Sequence, residues 1–231
     1  MNFCGKMKAV TFSFDDGVTQ DRRLTALFNR YGLRGTFNVN SGLLGRAGEL
    51  TVAGERVRHD KIDPGEVASL YRGHEVAVHT LTHPNLTQLD EEEIVRQVEQ
   101  DRLALERLTG GPVAGMAYPC GGVNNDDRVA EILGRRTGVR YARTITSTGR
   151  FDLPENLLRL DPTVHCIRFE ELFALGERFV GLQPETPQLF YIWGHSYEFD
   201  AGDGWRNLEE FCRFIAGRGD IAYLTNREIL L

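Results

Sequence analysis

Short apolar segments of strand length alternate with segments of helical period along this chain. Residues 8–14 have the length and apolar content of a buried strand, and residues 19–31 then carry leucines and aromatics at helical spacing. The alternation continues as far as residues 221–224. A parallel sheet whose strands are connected by helices produces this pattern. The sequence therefore predicts an α/β fold, either an open doubly wound sheet or a barrel, and about eight strands in 231 residues favour the barrel.

The individual elements follow from the same periodicity and from helix end signals. The predicted strands are residues 8–14, 36–39, 75–79, 113–118, 139–145, 157–160, 189–193 and 221–224. The predicted helices are residues 19–31, 63–73, 90–108, 126–137, 169–180 and 205–216. Residues 40–62 are rich in glycine and polar side chains, which indicates an inserted long loop or small hairpin. Because no repeat or linker divides the chain, residues 1–231 are expected to form a single domain.

Composition and charge exclude several classes of protein. Hydrophobic residues make up 41% of the chain and charged residues 26%, which allows a sizeable core and argues against disorder. No apolar run approaches the roughly 18 residues that span a bilayer. The formal net charge of −6 argues against a nucleic acid or an anionic membrane as the partner.

The N-terminus and the cysteines indicate the compartment. No apolar stretch of about 7–15 residues near the N-terminus suits a signal peptide, so we expect a cytoplasmic protein. Met7 is an alternative start, and residues 1–7 are a possible leader. The four cysteines lie far apart and form no Cys-x-x-Cys motif. Reduced thiols are therefore expected, rather than a disulfide framework or a thiolate zinc site.

Polar side chains cluster at the ends of several predicted strands. The clusters are residues 15–17 (DDG), His79 with His83, residues 118–121 (YPCG), and His195. In parallel α/β folds the carboxyl ends of the strands face one crevice, where active sites lie. We therefore expect these distant residues to converge on one site.

His79 and His83 stand four residues apart, close enough for both imidazoles to bind one metal ion. Two solvent-facing histidines are the alternative interpretation. A carboxylate from Asp15 or Asp16 would be the third ligand and would leave positions open for water and substrate. Two adjacent ionised aspartates repel each other unless a cation or a proton relieves them, so one is expected on the metal and the other free as a base. The alternative is a simple Asp-Gly turn.

Residues 11–17 (TFSFDDG), residues 79–84 (HTLTHP) and the strand-end His195 occur in an order that is specific as a combination. Together they resemble the signature of the polysaccharide deacetylases, also called carbohydrate esterase family four, with a chitooligosaccharide-deacetylase homology domain over about residues 8–225. The resemblance implies a distorted (β/α) barrel of about seven to eight mostly parallel strands. It also implies a divalent metal cofactor, zinc first, with cobalt, nickel and manganese as alternatives. The implied reaction removes the N-acetyl group from an N-acetylated amino sugar or oligosaccharide.

The family pattern implies a role for each matching residue. Asp15 would be the catalytic base and His195 the general acid. The metal ligands would be Asp16, His79 and His83. Cys120, which follows the proline of residues 118–121, would hold the oxyanion through its backbone N–H.

Five side chains are candidates for contact with the sugar, two from the family motif at residues 118–121 and three from their expected position near the site. These are Tyr118, Pro119, Trp193, Tyr197 and Arg143. Aromatic faces stack on sugar rings, although core packing is the default for a tryptophan at a strand end. Many family members also carry an arginine two residues before the proline, where it orients the catalytic aspartate. Here that position is Ala117, and Arg143 is the candidate to replace it.

The remaining histidines have ordinary interpretations. His59 lies in the polar insertion and is expected to be solvated, while His74 is expected to be structural. His165 could line the groove, but a packing or surface position is favoured.

Two other functions stay open. A metal-dependent amidase acting on a small non-sugar amide would use the same ligands. A catalytically impaired carbohydrate-binding homologue is favoured by Ala117 and opposed by the presence of all the other site residues.

Overall fold

A computed structural model describes residues 3–231 of the chain. Residues 1 and 2, at the start of the proposed leader, lie outside the described residues. Phe3 is 2% exposed and packs in a small apolar cluster that includes Ala9 and Leu189. Its backbone N–H and C=O both form hydrogen bonds with Lys6. This part of the leader region therefore packs against the start of the first strand.

Eight strands form one sheet, and every strand pair within it is parallel. With a separate two-stranded hairpin, the strands in chain order are β1 (Lys8–Asp15), β2 (Gly35–Val39), β3 (Glu49–Val52), β4 (Glu55–Arg58), β5 (Glu75–Val78), β6 (Gly115–Ala117), β7 (Tyr141–Arg143), β8 (Val164–His165), β9 (Gln188–Gly194) and β10 (Ile221–Tyr223). The order across the sheet is β7-β6-β5-β2-β1-β9-β8, with β10 beside β1. The sheet curls into a half-barrel, which confirms the predicted α/β barrel class.

Helices connect these strands. They are α1 (Asp21–Tyr31), α2 (Val67–Leu70), α3 (Glu91–Thr109), α4 (Asp127–Arg136), α5 (Phe169–Gly181), α6 (Gly204–Ile215) and α7 (Asn226–Leu230). The long helix α3 has the ends that the sequence predicts. The side chain of Asp90 accepts a hydrogen bond from the backbone N–H of Glu93, and Gly110 ends the helix in the left-handed conformation at φ 73°. None of the helices in residues 3–231 is long and apolar enough to cross a bilayer.

Four short elements differ from the sequence prediction. The predicted helix 63–73 is a 3₁₀ turn at Pro64–Glu66 followed by the single turn of α2. The predicted strand 157–160 is only an isolated bridge between Leu160 and Arg143. The short elements β8 and α7 were not predicted. Elements this short carry too few residues for their periodicity to be read.

The inserted residues 40–62 contain the predicted small hairpin, made of β3 and β4. Its backbone pairing continues toward the sheet, since the N–H of His59 donates to Gly48 and that of Lys61 donates to Arg46. We call residues 45–62 the ribbon. Its returning strand also bonds the segment just after β1, because the N–H of Ile62 donates to the carbonyl oxygen of Gly17 at 3.0 Å. The insertion is thus fixed beside the carboxyl end of β1.

The central strand β1 is buried along its whole length, as expected for a parallel sheet covered on both faces. Phe12 packs against Phe28 of α1 with ring centroids 4.7 Å apart, and Phe14 packs against Phe37 of β2 at 6.3 Å. These contacts hold the end of β1, and therefore Asp15 and Asp16, in a fixed place.

Candidate active site

Polar residues from several strand ends meet in one cavity of about 510 Å³. Asp15 ends β1, while His79 and His195 directly follow β5 and β9. The Nε2 atoms of His79 and His195 lie 4.0 and 3.9 Å from Oδ2 of Asp15. The convergence expected from the sequence is therefore present, and Asp15 lies between the two histidines.

Asp15 is a buried carboxylate held by two donors. Nη2 of Arg143 donates to its oxygens at 2.6 and 2.5 Å, and Nδ2 of Asn38 donates to Oδ1 at 2.8 Å. Burial raises the pKa of Asp15, but Arg143 and the nearby histidines more than offset this, so the pKa lies below its ordinary value. The carboxylate is therefore ionised near neutral pH and able to accept a proton.

Arg143 comes from β7 and is fully buried. Besides Asp15, its guanidinium donates to Oγ of Ser13 and to the carbonyl oxygen of Thr144, and it stacks on the Trp193 ring at 4.5 Å. Arg143 does not line the cavity. The expectation that it contacts substrate is therefore wrong, because its donors are already committed inside the protein. Its position fits the alternative, in which it replaces the arginine missing at Ala117.

Asp16, His79 and His83 offer ligand atoms that all lie within 4.8 Å of one another. Nε2 of His83 lies 3.7 Å from Oδ1 of Asp16, and the two imidazole centroids are 4.9 Å apart. Nδ1 of His79 donates to the carbonyl oxygen of Ala117 at 2.9 Å, which leaves Nε2 free for a metal. One carboxylate and two imidazoles fit a single zinc-type divalent ion with open coordination positions.

The backbone at this site is unusual. Asp16, Thr80, His83 and Cys120 all adopt positive φ, between 63° and 86°. This region is sparsely populated by residues with a side chain, and such conformations persist where surrounding contacts impose them. One such contact is the hydrogen bond from the N–H of His83 to Oγ1 of Thr80.

Two side chains of the ribbon contact Asp16. Nε2 of His59 donates to Oδ2 at 3.1 Å, and Nζ of Lys61 donates to Oδ1 at 3.1 Å and to the carbonyl oxygen at 2.8 Å. Burial raises the pKa of Asp16, but His59 and Lys61 hold it well below the ordinary value. The expectation that His59 is solvated is wrong, because the ribbon folds back over the end of β1. The spacing of two residues, which puts both side chains on one face of a strand, was the available signal.

His195 is flanked by the carboxylate of Glu198, which was not among the predicted site residues. Oε2 of Glu198 lies 3.3 Å from Nδ1 of His195 and 3.5 Å from Nε2 of His165, and it accepts a hydrogen bond from the backbone N–H of His195. Burial lowers the pKa of His195, but Glu198 and Asp15 outweigh it and raise the pKa to about 9. His195 therefore carries a proton at neutral pH.

His165 lies against His195, Glu198 and the Trp193 ring, so it is near the site rather than at the surface.

Cys120 lines the cavity, and within residues 3–231 its backbone N–H donates no hydrogen bond. That amide is free to serve an oxyanion. The thiol lies 3.4 Å from the carbonyl oxygen of His83, and burial and the charge of Asp16 raise its pKa. The side chain is therefore a neutral thiol rather than a nucleophile.

The predicted substrate-contacting residues divide into two groups. Tyr118, Trp193 and Tyr197 line the cavity. Tyr118 is nearly buried, and its hydroxyl donates to the carbonyl oxygen of Leu158 at 2.7 Å. Pro119 is buried and is not among the lining residues, so it shapes the loop without reaching the cavity.

Comparison with known proteins points to the same chemistry as the geometry of the site. The sequence profile of the family described as Polysaccharide deacetylase matches residues 4–141. This chain belongs to the polysaccharide deacetylase family. Membership gives its chemical class, a deacetylase hydrolase acting on amide C–N bonds, as the resemblance implied. No curated protein matches the chain.

Solved structures share the fold at low sequence identity. A putative polysaccharide deacetylase from Mycobacterium smegmatis is 17% identical and has a TM-score of 0.69, with 98% of this chain and 90% of that chain covered. A family 4 carbohydrate esterase from Streptomyces lividans, in complex with acetate, is 16% identical with a TM-score of 0.56, covering 94% and 91%. Streptococcus pyogenes deacetylase PplD, also with acetate, is 20% identical with a TM-score of 0.53. There the alignment covers 64% of this chain and 61% of PplD.

Proposed function

We propose that this deacetylase is a metal-dependent hydrolase that removes the N-acetyl group from an N-acetylated amino sugar or oligosaccharide. The observation that carries the proposal is the position of the Asp15 carboxylate, within 4.0 Å of both His79 and His195. A proton acceptor thus lies between a candidate metal triad and a proton donor. An amide hydrolysis needs this set, because water must be activated and the nitrogen must be protonated as it leaves.

Asp16, His79 and His83 would hold the metal, which when bound lowers the pKa of water and polarises the acetyl carbonyl. Asp15 accepts the proton of the attacking water, and Arg143 keeps that carboxylate ionised and oriented. The remaining residues act on the tetrahedral species and on the departing amine.

One group then stabilises the tetrahedral species, and a second allows it to break down to products. The backbone N–H of Cys120 donates to the oxygen that gains charge, an interaction typically worth about 3 kcal/mol in the transition state. His195, protonated at neutral pH, transfers its proton to the departing nitrogen. The products are acetate and a free amino sugar.

The cavity suits a small sugar or the end of an oligosaccharide. Its volume of about 510 Å³ lies within the range of small-ligand sites. Trp193 and Tyr197 line the cavity together with Arg46 and Leu50 of the ribbon, and aromatic rings at such a site can stack on a sugar ring. A soluble N-acetylated sugar in the cytoplasm is the substrate we propose, with zinc foremost as the metal and cobalt, nickel or manganese as substitutes.

The two alternatives make different predictions. The impaired carbohydrate-binding interpretation depended on Ala117, and the contact of Arg143 with Asp15 weighs against it. The amidase interpretation keeps the same machinery but needs no sugar contact from Trp193 or Tyr197.

Zinc-loaded protein incubated with N-acetylglucosamine oligomers tests the proposal. We expect acetate and free amine to appear in equal amounts. Sugar binding without acetate would support the impaired homologue, while release of acid from small non-sugar amides alone would support the amidase.

Replacement of Glu198 by glutamine should lower kcat by about tenfold, a fraction of what a general acid contributes. The groups that face His195 are Asp15, Asp16, Glu198, His165 and Tyr197. Since Glu198 raises the pKa of His195, its loss lowers that pKa, and the alkaline limb of the pH–rate profile should move to lower pH. Glu170→Gln, at an exposed site on α5, is the matched control. An unmoved alkaline limb would show that Glu198 does not act on His195.

A further inference from the structure

A buried ammonium group forms an ion pair with the carboxylate that is proposed to bind the metal. The side chain of Lys61 is 5% exposed, and its Nζ lies 3.1 Å from Oδ1 of Asp16. The same Oδ1 is the oxygen that lies 3.7 Å from Nε2 of His83. A divalent ion held by Asp16, His79 and His83 would therefore lie close to the ammonium of Lys61.

Backbone contacts with two segments, the ribbon and the residues after β1, hold Lys61 in this place. Its backbone N–H donates to the carbonyl oxygen of Arg46 at 2.8 Å, and its backbone forms a bridge with Val18, just after the Asp15–Asp16 pair. Its Nζ also donates to the carbonyl oxygen of Asp16 at 2.8 Å and lies 3.5 Å from Oδ1 of Asn40. With backbone and side chain both bonded, Lys61 is a fixed part of the site.

The charges of the two adjacent aspartates are already balanced without an ion. Arg143 pairs with Asp15, and Lys61 pairs with Asp16. The sequence led us to expect that a metal ion or a proton relieves the repulsion between these two aspartates. Two buried side chains from distant parts of the chain relieve it instead. A metal that enters the site does so next to a positive charge rather than into an uncompensated carboxylate pair.

We propose that Lys61 is a built-in cationic competitor, which weakens divalent-ion binding at Asp16, His79 and His83 and lets the protein fold with the site free of metal. The inference rests on the proposed metal site. Two positive charges next to one carboxylate repel each other strongly where solvent is excluded. A hydrogen bond to the carboxylate by itself would instead orient the ligand and favour the metal.

Variants of Lys61 separate the charge from the hydrogen bond. Lys61→Gln keeps a donor and removes the charge, while Lys61→Arg keeps both. We expect Zn²⁺ to bind Lys61→Gln about tenfold more tightly than the wild type, and Lys61→Arg within about threefold of it. The affinity is measured by competition with a chromophoric chelator. Lys8→Gln, a second buried lysine at the opposite end of β1, should leave the affinity unchanged.

Thermal unfolding gives a second readout that does not depend on activity. Metal-free Lys61→Gln should unfold at a lower temperature than the metal-free wild type, and added Zn²⁺ should raise its Tm by more. Equal or weaker zinc binding by Lys61→Gln would overturn the role of Lys61, provided that Asp16→Ala still abolishes binding. If Asp16→Ala binds zinc as well as the wild type does, the metal site itself is overturned together with this inference.

Discussion

Replacement of Asp15 by asparagine is expected to lower kcat for deacetylation by about 10²- to 10⁴-fold, the usual contribution of a general base. The amide has nearly the shape of the carboxylate but cannot accept the proton of water. Because Asp15 is not among the proposed metal ligands, Zn²⁺ binding should persist. Acetate release under saturating substrate, together with zinc content, measures both effects.

The same substitution also leaves a buried cation without its partner. Arg143 is fully buried, and loss of one partner of a buried ion pair costs about 3–5 kcal/mol of stability. The double variant Asp15→Asn with Arg143→Met removes both charges and should recover part of the lost stability while staying inactive. Full activity in Asp15→Asn with zinc still bound would show that another group is the base.

Replacement of Asp16 by alanine is expected to weaken Zn²⁺ binding by more than about 100-fold, since even partners that only orient a ligand contribute 10- to 100-fold. The two imidazoles that remain, His79 and His83, give too few ligands for tight binding. Activity should fall below detection with the metal. Elemental analysis after dialysis should find one zinc per wild-type chain and none in the variant.

The control for this prediction is Asp63→Ala, which removes an exposed carboxylate just beyond the ribbon. It should keep both zinc and activity. Zinc retained by Asp16→Ala at wild-type affinity would mean that the ion binds elsewhere. The alternative place for the ion is the cluster of His165, His195 and Glu198, because its potential ligand atoms also lie within 4.8 Å of one another.

Much of the fold could be read from local patterns. The strand at 8–14 and the helix at 90–108 were predicted to within one or two residues, because an apolar run and a pair of capping signals are properties of neighbouring residues. The two-residue strand β8 and the single turn of α2 were not predicted correctly. Their conformation is set by contacts with the rest of the protein rather than by their own sequence.

The residues of the site likewise fall into those that could be placed from the sequence and those that could not. Residues at strand ends, such as Asp15, His79 and His195, could be expected to converge because parallel strands direct their carboxyl ends to one face. His59, Lys61 and Glu198 could not be placed, because the sequence does not say how an insertion folds back or which carboxylate a histidine meets. Arg143 was a candidate both for contact with the substrate and for orientation of Asp15. Its complete burial in the folded protein favours the second role.

The parallel α/β architecture, the family and the group of polar residues at the strand ends could be inferred from the amino-acid sequence alone, because periodicity and short motifs depend on neighbouring positions. The pairing of the charges became visible only in the folded protein. Arg143 and Lys61 reach Asp15 and Asp16 from distant segments. Pairing of buried charges depends on distances of a few ångströms, which exist only once those segments have packed together.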